Sequence, residues 1–270
     1  MCPTNESCSN GRCAGWAALD AGWSSTCGLR SDGSVVCWGA VSFESGATDT
    51  FVAVSTGMAH ACALRSDGTV RCWGDDFYGQ ATPPPDVFTS ISSGFYYTCG
   101  LRFDGTVKCW GSATEWPTTE TLRALAAGAY HACGLRADGT VFCWGADFYG
   151  QASPPAGGFL ALDAGTYYTC GVREDSTVAC WGNDWHQQSS GVTDGPLTMV
   201  ATGEGHTCAI RTDGTISCWG NDFDGGATPP AGQFTSITAG LAHTCGLRSD
   251  GNVQCWGCRY NDYGQCIVPN

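Results

Sequence analysis

Short apolar segments alternate with polar turns along almost the whole chain. Segments such as FTSIS (88–92) are rich in β-branched residues and are interrupted by Gly or Pro-Pro. They show period-two alternation and no helical period, which is typical of strands. Four such segments fit one unit, as in WAALDA (16–21), STCGLR (25–30), SVVCWG (34–39) and a shorter one of the GQATPP type (79–84). The pattern predicts an all-β protein.

The segment TCGLRSDGSVVCWG at 26–39 is the first of seven copies that differ by small changes. The second cysteine of each copy stands at 37, 72, 109, 143, 180, 218 and 255, so the repeat period is 34 to 38 residues. Seven repeated units of four strands predict a seven-bladed β-propeller, because radial repetition protects sheet edges. We assign 14–270 to this propeller and 1–13 to a separate cysteine-containing segment.

Within each copy the two cysteines are ten residues apart, with Asp-Gly near the midpoint. A three-residue turn at 31–33, with Gly33 in the left-handed conformation, places Cys27 opposite Cys37 at a non-hydrogen-bonded position, where a disulfide fits. The fifth copy has Ser176 where the others have Gly, which predicts a strained turn. The same count predicts one disulfide per blade: Cys27–Cys37, Cys62–Cys72, Cys99–Cys109, Cys133–Cys143, Cys170–Cys180, Cys208–Cys218 and Cys245–Cys255.

Five further cysteines lie outside the repeat. Cys258 and Cys266 flank one loop and are expected to bridge locally; alternatively, one of Cys2, Cys8 and Cys13 bonds to Cys258 or Cys266 and latches the ring. Zinc ligands favour spacings of two to four residues, which the repeat does not provide. Seven hairpin disulfides predict an oxidising compartment and a secreted or cell-surface protein.

The repeated residues, G-x-x-[HYS]-[TA]-C-[GA]-[LVI]-R-x-D-G-x-[VI]-x-C-W-G followed by D-x-[FY]-G-Q-x-x-x-P, resemble the regulator of chromosome condensation repeat. The resemblance spans about 16–270 and implies a seven-bladed propeller. Loops such as WGDDFYGQATPPP (73–85) are similar to those of the propeller-type bacterial β-lactamase inhibitors. That similarity implies a non-catalytic inhibitor with aromatic and acidic binding loops.

The charge balance excludes several partners. The chain has 12 basic and 25 acidic residues, a net charge of −13, and 43% hydrophobic residues. This composition excludes disorder, and clustered Lys and Arg for a phosphate backbone are absent, so nucleic acid is not expected as a partner. No apolar run reaches the roughly 20 residues of a membrane span, and no membrane insertion is expected. Pairing seven hairpin arginines with the turn aspartates leaves 18 acids against five bases.

Antiparallel strand order places the loops after the repeat Gly and the loops after Trp-Gly on one face of the propeller. All nine tyrosines fall in these loops, Tyr97 and Tyr168 included. Tyr and Trp supply rigid contact area with a polar tip, and acidic loops attract a basic partner. The alternative is that several aromatic rings fill gaps between blades. The residues predicted to bind a partner are Trp23, Phe77, Tyr78, Phe95, Tyr96, Tyr130, Asp147, Phe148, Tyr149, Tyr167, Asp184, Trp185, Phe223, Asp224, Tyr260 and Tyr263.

No nucleophile elbow, phosphate loop or zinc-protease motif occurs, so we expect no catalysis, no cofactor and no metal site. His60, His131, His206 and His243 share one repeat position and are expected to form structural hydrogen bonds, and the Trp of each Cys-Trp-Gly is expected to pack between blades. The predicted function is a secreted, monomeric binding protein whose partner is another protein, in the sharpest version a β-lactamase-like enzyme. The alternatives are a carbohydrate-binding propeller and a structural or adhesive module of a larger extracellular protein.

Overall fold

The computed structural model describes residues 7–9, 12–46, 49–113, 120–191, 195–260 and 262–269. Within them the chain forms seven antiparallel sheets, one for each repeat, and a two-stranded ribbon near the N-terminus. The ribbon joins β1 (Ser7–Ser9) to β2 (Arg12–Ala14) in a register that sets Cys8 opposite Cys13. Cys2 lies outside the described residues.

Each sheet starts near the propeller axis and proceeds outward in chain order. We number the sheets as blades 1 to 7. Blade 1 consists of β3 (Trp16–Ala21), β4 (Ser25–Arg30), β5 (Val35–Gly39) and β6 (Phe43–Glu44). Blade 2 consists of β7 (Phe51–Thr56), β8 (His60–Arg65) and β9 (Val70–Gly74). Blade 3 consists of β10 (Ser90–Ser93), β11 (Tyr97–Leu101) and β12 (Val107–Gly111). Blades 4 and 5 consist of β13 (Ala124–Ala127), β14 (His131–Leu135) and β15 (Val141–Gly145); and β16 (Phe159–Ala164), β17 (Tyr168–Arg173) and β18 (Val178–Gly182). Blades 6 and 7 consist of β19 (Leu197–Thr202), β20 (His206–Arg211) and β21 (Ile216–Gly220); and β22 (Phe234–Ala239), β23 (Thr244–Arg248) and β24 (Val253–Trp256).

The hairpin between the second and third strand of each blade has the predicted geometry. In blade 1, Gly33 adopts φ of 84° and Cys27 lies opposite Cys37. The Arg30 N–H donates to the Ser34 carbonyl at 2.8 Å and closes the turn. The seven predicted hairpin disulfides are present, with Cα–Cα distances of 4.0 to 4.1 Å, and Cys258–Cys266 makes an eighth.

The seven blades form a closed circle, the arrangement of a seven-bladed propeller. Blade 7 packs on blade 1, where the Ala21 N–H donates to Thr238 Oγ1 at 2.8 Å. The equivalent bond in blades 2 and 3 runs from the Ser93 N–H to Ser55 Oγ at 2.9 Å. Between blades 1 and 2, the Thr56 N–H donates to the Asp20 carboxylate. Burial raises the pKa of Asp20 to about 7. A hydrogen bond from a backbone N–H to a side-chain oxygen therefore joins the inner strands of blades 7 and 1, where the circle closes, as it does those of blades 1 and 2 and of blades 2 and 3.

The repeat glycines allow this close packing at the axis. A Cβ on Gly203 would lie 2.5 Å from the Gly240 carbonyl oxygen, and one on Gly128 would lie 2.5 Å from that of Gly165. Real Cβ atoms do not approach so closely, so only glycine fits. The seven glycines, each facing the next blade, are Gly22, Gly57, Gly94, Gly128, Gly165, Gly203 and Gly240.

Most blades have three strands where four were expected. Among the described residues only blade 1 has a fourth strand, β6. In blade 2 the corresponding segment forms turns that end in Pro83, Pro84 and Pro85. Proline has no N–H to donate to a sheet ladder, and the preceding turn places Gln80 in the interior, so the segment cannot continue the ladder.

The seams between blades bury polar pairs as well as apolar side chains. His60 Nε2 lies 2.8 Å from Thr98 Oγ1 of the next blade, and three further seams repeat this bond with His131, His206 and His243. Burial lowers the pKa of His131 to about 4, so the ring is neutral at pH 7. The expected structural role of these histidines is confirmed.

The hairpin arginines act on the turn aspartates mainly through charge: the pKa of Asp67 is lowered first by hydrogen bonds from Thr69 and then by the charge of Arg65. The turn carboxylates accept bonds from the residue two positions on, as Asp67 does from Thr69. Arg102 and Arg136 bind acids that precede their own blades, Asp86 at 2.9 Å and Glu120 at 2.8 Å. Arg248 Nε lies 4.0 Å from its own turn acid, Asp250. A two-residue Asx turn satisfies the carboxylate locally and leaves the longer arginine to reach the linker.

No helix capable of spanning a bilayer occurs in the described ranges.

Candidate functional site

The two loop sets predicted to share one face contact each other. Tyr78, in the loop after Trp-Gly of blade 2, lies 5.2 Å from Tyr96, in the loop after Gly94 of blade 3, measured between ring centroids. Tyr149 and Tyr167 make the same contact between blades 4 and 5 at 5.5 Å. We call this surface the aromatic face.

The rings of the aromatic face form a connected series. Trp23 meets Phe95 edge to face at 4.6 Å, Phe95 contacts Tyr130 at 5.3 Å, and Tyr149 contacts Trp185 at 5.1 Å. Such aromatic pairs contribute beyond the area they bury. In order along the face the series is Phe77, Tyr78, Tyr96, Phe95 with Trp23, Tyr130, Tyr167, Tyr149 and Trp185. The structure thus brings nine of the predicted residues together across blades 1 to 5.

A buried glutamine holds each of several loops in shape. In blade 2, the Tyr78 N–H donates to Gln80 Oε1 at 2.8 Å, while Gln80 Nε2 donates to Asp75 at 2.7 Å. The Gln80 carbonyl accepts a bond from Trp110 Nε1 of the next blade at 3.0 Å. Gln151, Gln188 and Gln265 accept the corresponding loop N–H. Gly-Gln recurs in the sequence at Gln80, Gln151 and Gln265, with Gln187 in place of the glycine before Gln188, but no role was assigned to these glutamines.

We call these buried glutamines and their hydrogen bonds the glutamine frame. The loop tips above this frame are exposed. Phe77, Phe148, Trp185 and Phe223 occupy equivalent tip positions and are 82%, 87%, 69% and 66% exposed. Large apolar side chains exposed at one repeated position form a patch that water solvates poorly, and such patches mark interaction sites.

The remaining predicted aromatic residues form a second group at blades 6 and 7. Phe223 packs against Tyr260 at 4.7 Å, and the Tyr260 N–H donates to Asp224 Oδ1 at 3.0 Å. Tyr263 is exposed beside them. These side chains are not part of the connected series, so the aromatic face has a large and a small group.

Asp147 and Asp184 build the loops that carry the tips. Asp147 accepts bonds from the Ala152 N–H and the Ser153 hydroxyl, both at 2.7 Å. Burial acts to raise the pKa of Asp184, but hydrogen bonds from Ser189 and Ser190 outweigh it and hold the pKa below its usual value. Both side chains are exposed.

The loops of the aromatic face carry an excess of acid. Arg259 is a basic residue in them. The acids in the same loops include Asp75, Asp76, Asp147, Asp184, Glu204, Asp222, Asp224 and Asp262. Like charges on one face produce a negative potential that attracts a basic partner.

Two tyrosines assigned to the surface loops are buried. Tyr97 and Tyr168 begin strands, and each hydroxyl donates to the next blade, to the His131 carbonyl from Tyr97 and to the His206 carbonyl from Tyr168. Burial raises the pKa of both phenols. The gap-filling alternative therefore holds for these two residues, while their neighbours Tyr96 and Tyr167 belong to the face.

A funnel opens at the centre of the aromatic face. It is lined by the repeat glycines and by the residues beside them, among them Trp23, Phe95 and Glu204. Burial raises the pKa of Glu204. Sequence reasoning placed Trp23 and Phe95 on the face but left Glu204 out of the site, because the funnel exists only once the circle is closed.

Among the described residues, no three His, Cys, Asp or Glu side chains are grouped so as to hold a metal ion.

Fold and loops together define a disulfide-bonded β-propeller with one aromatic, acidic face. The chain belongs to the family of the regulator of chromosome condensation (RCC1) repeat, whose profile matches residues 16–42, 51–80, 88–115, 123–151, 199–225 and 234–265. Six of the seven repeats are covered by these matches.

Among solved structures, the chain is similar to the ectodomains of two plant receptor kinases. The CRINKLY WD40 ectodomain of ACR4 from Arabidopsis thaliana is 27% identical, with a TM-score of 0.79, over 92% of this chain and 97% of that one. The entire ectodomain of CR4 from Physcomitrella patens is 25% identical, with a TM-score of 0.78, over 90% and 74%. Prp20p from Saccharomyces cerevisiae shares the fold at 16% identity and a TM-score of 0.72, over 83% and 75%. No curated protein matches the chain by sequence.

Eight disulfides in the described residues, together with ectodomain neighbours, point to an oxidising, extracellular environment.

Proposed function

We propose that the protein is a secreted, non-catalytic binding protein that engages another protein through its aromatic face. The observation that supports this most directly is the connected series of rings, which ends in Phe77 and Trp185 at exposed loop tips. Tyr and Trp anchors dominate protein interfaces energetically, and a rigid propeller holds them in place before binding. The glutamine frame keeps this arrangement in the free protein.

A triple variant tests the proposal. Tyr96→Ala, Tyr149→Ala and Trp185→Ala together remove three linked rings, and a buried interface anchor contributes about 2 kcal/mol or more, so partner affinity should fall at least 100-fold. The partner is first captured from the native environment on the parent protein, and its affinity for both proteins is then measured by titration.

The control is Phe103→Ala. Phe103 is 93% exposed but lies in the Asp-Gly hairpin of blade 3, on the opposite face. This variant should bind like the parent, and all variants should keep the parent melting temperature. Unchanged affinity in the triple variant would exclude the aromatic face as the binding surface. Binding of simple sugars that is lost in the triple variant would favour a carbohydrate-binding propeller instead.

Inhibition of a β-lactamase-like enzyme is the sharpest form of the proposal. Its support is the loop at 73–85, which presents exposed Phe77 above a turn built by Asp76 and Gln80. Titration of a serine β-lactamase should then give stoichiometric loss of hydrolysis at nanomolar concentration. Full activity at micromolar protein would reject the inhibitor role and leave the binding proposal intact.

The ectodomain neighbours support a second candidate, a structural or adhesive module of a larger extracellular protein. In that case the partner captured on the aromatic face would be a cell-surface protein and not an enzyme.

A further inference from the structure

The funnel is a concavity of the aromatic face in which aromatic and acidic side chains lie on opposite sides. It lies on the propeller axis and is lined by the repeat glycines, by small residues that precede them, such as Thr56 and Ser93, and by residues that follow them. The residues that follow the glycines differ in size and charge from blade to blade. The mouth therefore has sides of different chemistry.

One side of the mouth is aromatic. Trp23 of blade 1 and Phe95 of blade 3 contact each other edge to face at 4.6 Å although blade 2 lies between their blades. Ala129 and Thr166, which follow in blades 4 and 5, are small and leave the funnel open. Aromatic rings attract cations through their negative faces.

The opposite side carries Glu204 of blade 6. Its backbone N–H donates to the Leu241 carbonyl at 3.3 Å, and the Leu241 N–H donates to the Trp23 carbonyl at 3.2 Å, so the acidic and aromatic sides are joined through adjacent seams. Among the described residues no Lys or Arg is within ion-pair distance of the Glu204 carboxylate. Glu204 also borders a second, more polar depression lined by Asn221 and Asp224.

We propose that the funnel receives a single arginine or lysine side chain of the protein partner, with the cation between the aromatic side and Glu204. This inference rests on the proposed function, because it assumes that a protein covers the aromatic face. A carboxylate supplies charge pairing, and the rings supply a cation–π contact with the aliphatic stem packed beside them. The acidic loops around the funnel attract the same charge.

The test uses the full chain and a small probe in place of the partner. Nα-acetyl-arginine methylamide is titrated into the protein, and the Trp23 indole N–H and the Glu204 amide are followed by NMR. We expect saturable shifts at both signals, with Nα-acetyl-lysine methylamide acting at the same site. The citrulline analogue has the shape of arginine without its charge and should cause no saturable shift.

Glu204→Gln should weaken the arginine probe at least fivefold. Glu174→Gln is the matched control, because Glu174 is also exposed but lies in the hairpin of blade 5 on the opposite face. Equal responses to arginine and citrulline, or undiminished binding by E204Q, would overturn the proposal. The titration contains no partner protein, so its outcome is independent of the Tyr96, Tyr149 and Trp185 experiment, and a failure of one is distinguishable from a failure of the other.

Discussion

The seams between the blades and the loops of the aromatic face arise from one repeat, but they vary in different ways. At a seam the side chain changes while the bond to the threonine of the next blade is kept: His60 Nε2 binds Thr98 Oγ1, and the Thr207 hydroxyl donates to the Tyr168 hydroxyl. In the loops the frame is kept while the exposed tip changes, from Phe77 to Trp185.

The difference separates residues that stabilise the circle from residues available to a partner. A seam must match the fixed spacing of two neighbouring blades, so its substitutions preserve a hydrogen bond in a buried site. A loop tip has no such neighbour, because Gln80 or Gln188 satisfies the backbone below it. Substitution at a seam should therefore change stability, and substitution at a tip should change binding.

The largest effect on stability is expected from Gly203→Ala at a seam. The added Cβ would meet the Gly240 carbonyl oxygen at 2.5 Å and His206 Cε1 at 2.6 Å, and neither neighbour is a flexible chain end. Overpacking of this kind costs about 3 kcal/mol or more. Urea unfolding followed by circular dichroism should show that loss in the free energy of unfolding.

Gly46→Ala is the control, because its nearest neighbour would be Asp49 Oδ2 at an ordinary 3.8 Å. This variant should stay within about 0.5 kcal/mol of the parent. Equal stability of the two variants would contradict the view that the axis requires glycine.

A smaller effect, visible only in acid, is expected from His131→Tyr. Burial lowers the pKa of His131 to about 4, whereas in the unfolded chain the group titrates near its ordinary value of 6.5. Between these values the unfolded state binds the proton and the folded state does not, so stability falls as pH falls from 6.5 towards 4. Tyrosine occupies this repeat position in blades 3 and 5 and does not titrate there.

As the pH falls from 7 to 4.5, the free energy of unfolding of the variant should rise by about 2 kcal/mol relative to that of the parent. Unfolding by urea at several pH values measures this difference, in which the carboxylates common to both proteins cancel. Parallel stability curves for H131Y and the parent would show that the seam histidine does not contribute to acid sensitivity.

The sequence predicts the parts of the fold that depend on neighbours in the chain. Gly33 and the ten-residue cysteine spacing determine the hairpin and its disulfide, because turn type and register are local. Within the described ranges, the fourth strand was predicted wrongly for blade 2, because the role of Gln80 depends on Trp110 of another blade. The bond from Arg102 to Asp86 was not predictable for the same reason, since Asp86 belongs to a linker.

The aromatic face was predictable as a set of loops but not residue by residue. Tyr96 and Tyr97 are adjacent in the sequence, yet Tyr96 contacts Tyr78 on the face and Tyr97 is buried in a seam. One residue along a strand reverses the direction of the side chain, and only the seam determines which of the two is buried. The funnel and Glu204 require the closed circle and have no signal in a single repeat.

The smallest effect is expected at the one hairpin whose turn glycine is replaced. Ser176 has φ of 65°, where the left-handed conformation costs a side-chain-bearing residue about 1 kcal/mol or more. Glycine removes that strain but adds conformational freedom to the unfolded chain. The free energy of unfolding of Ser176→Gly should therefore be higher than that of the parent by roughly 0.5 kcal/mol. The reciprocal Gly139→Ser, at φ of 81° with the nearest atom 3.4 Å from its Cβ, should lose about as much. Thermal unfolding of both variants measures the pair. Opposite signs would attribute the change to backbone conformation, and a loss in both would mean that Ser176 makes a compensating contact specific to blade 5.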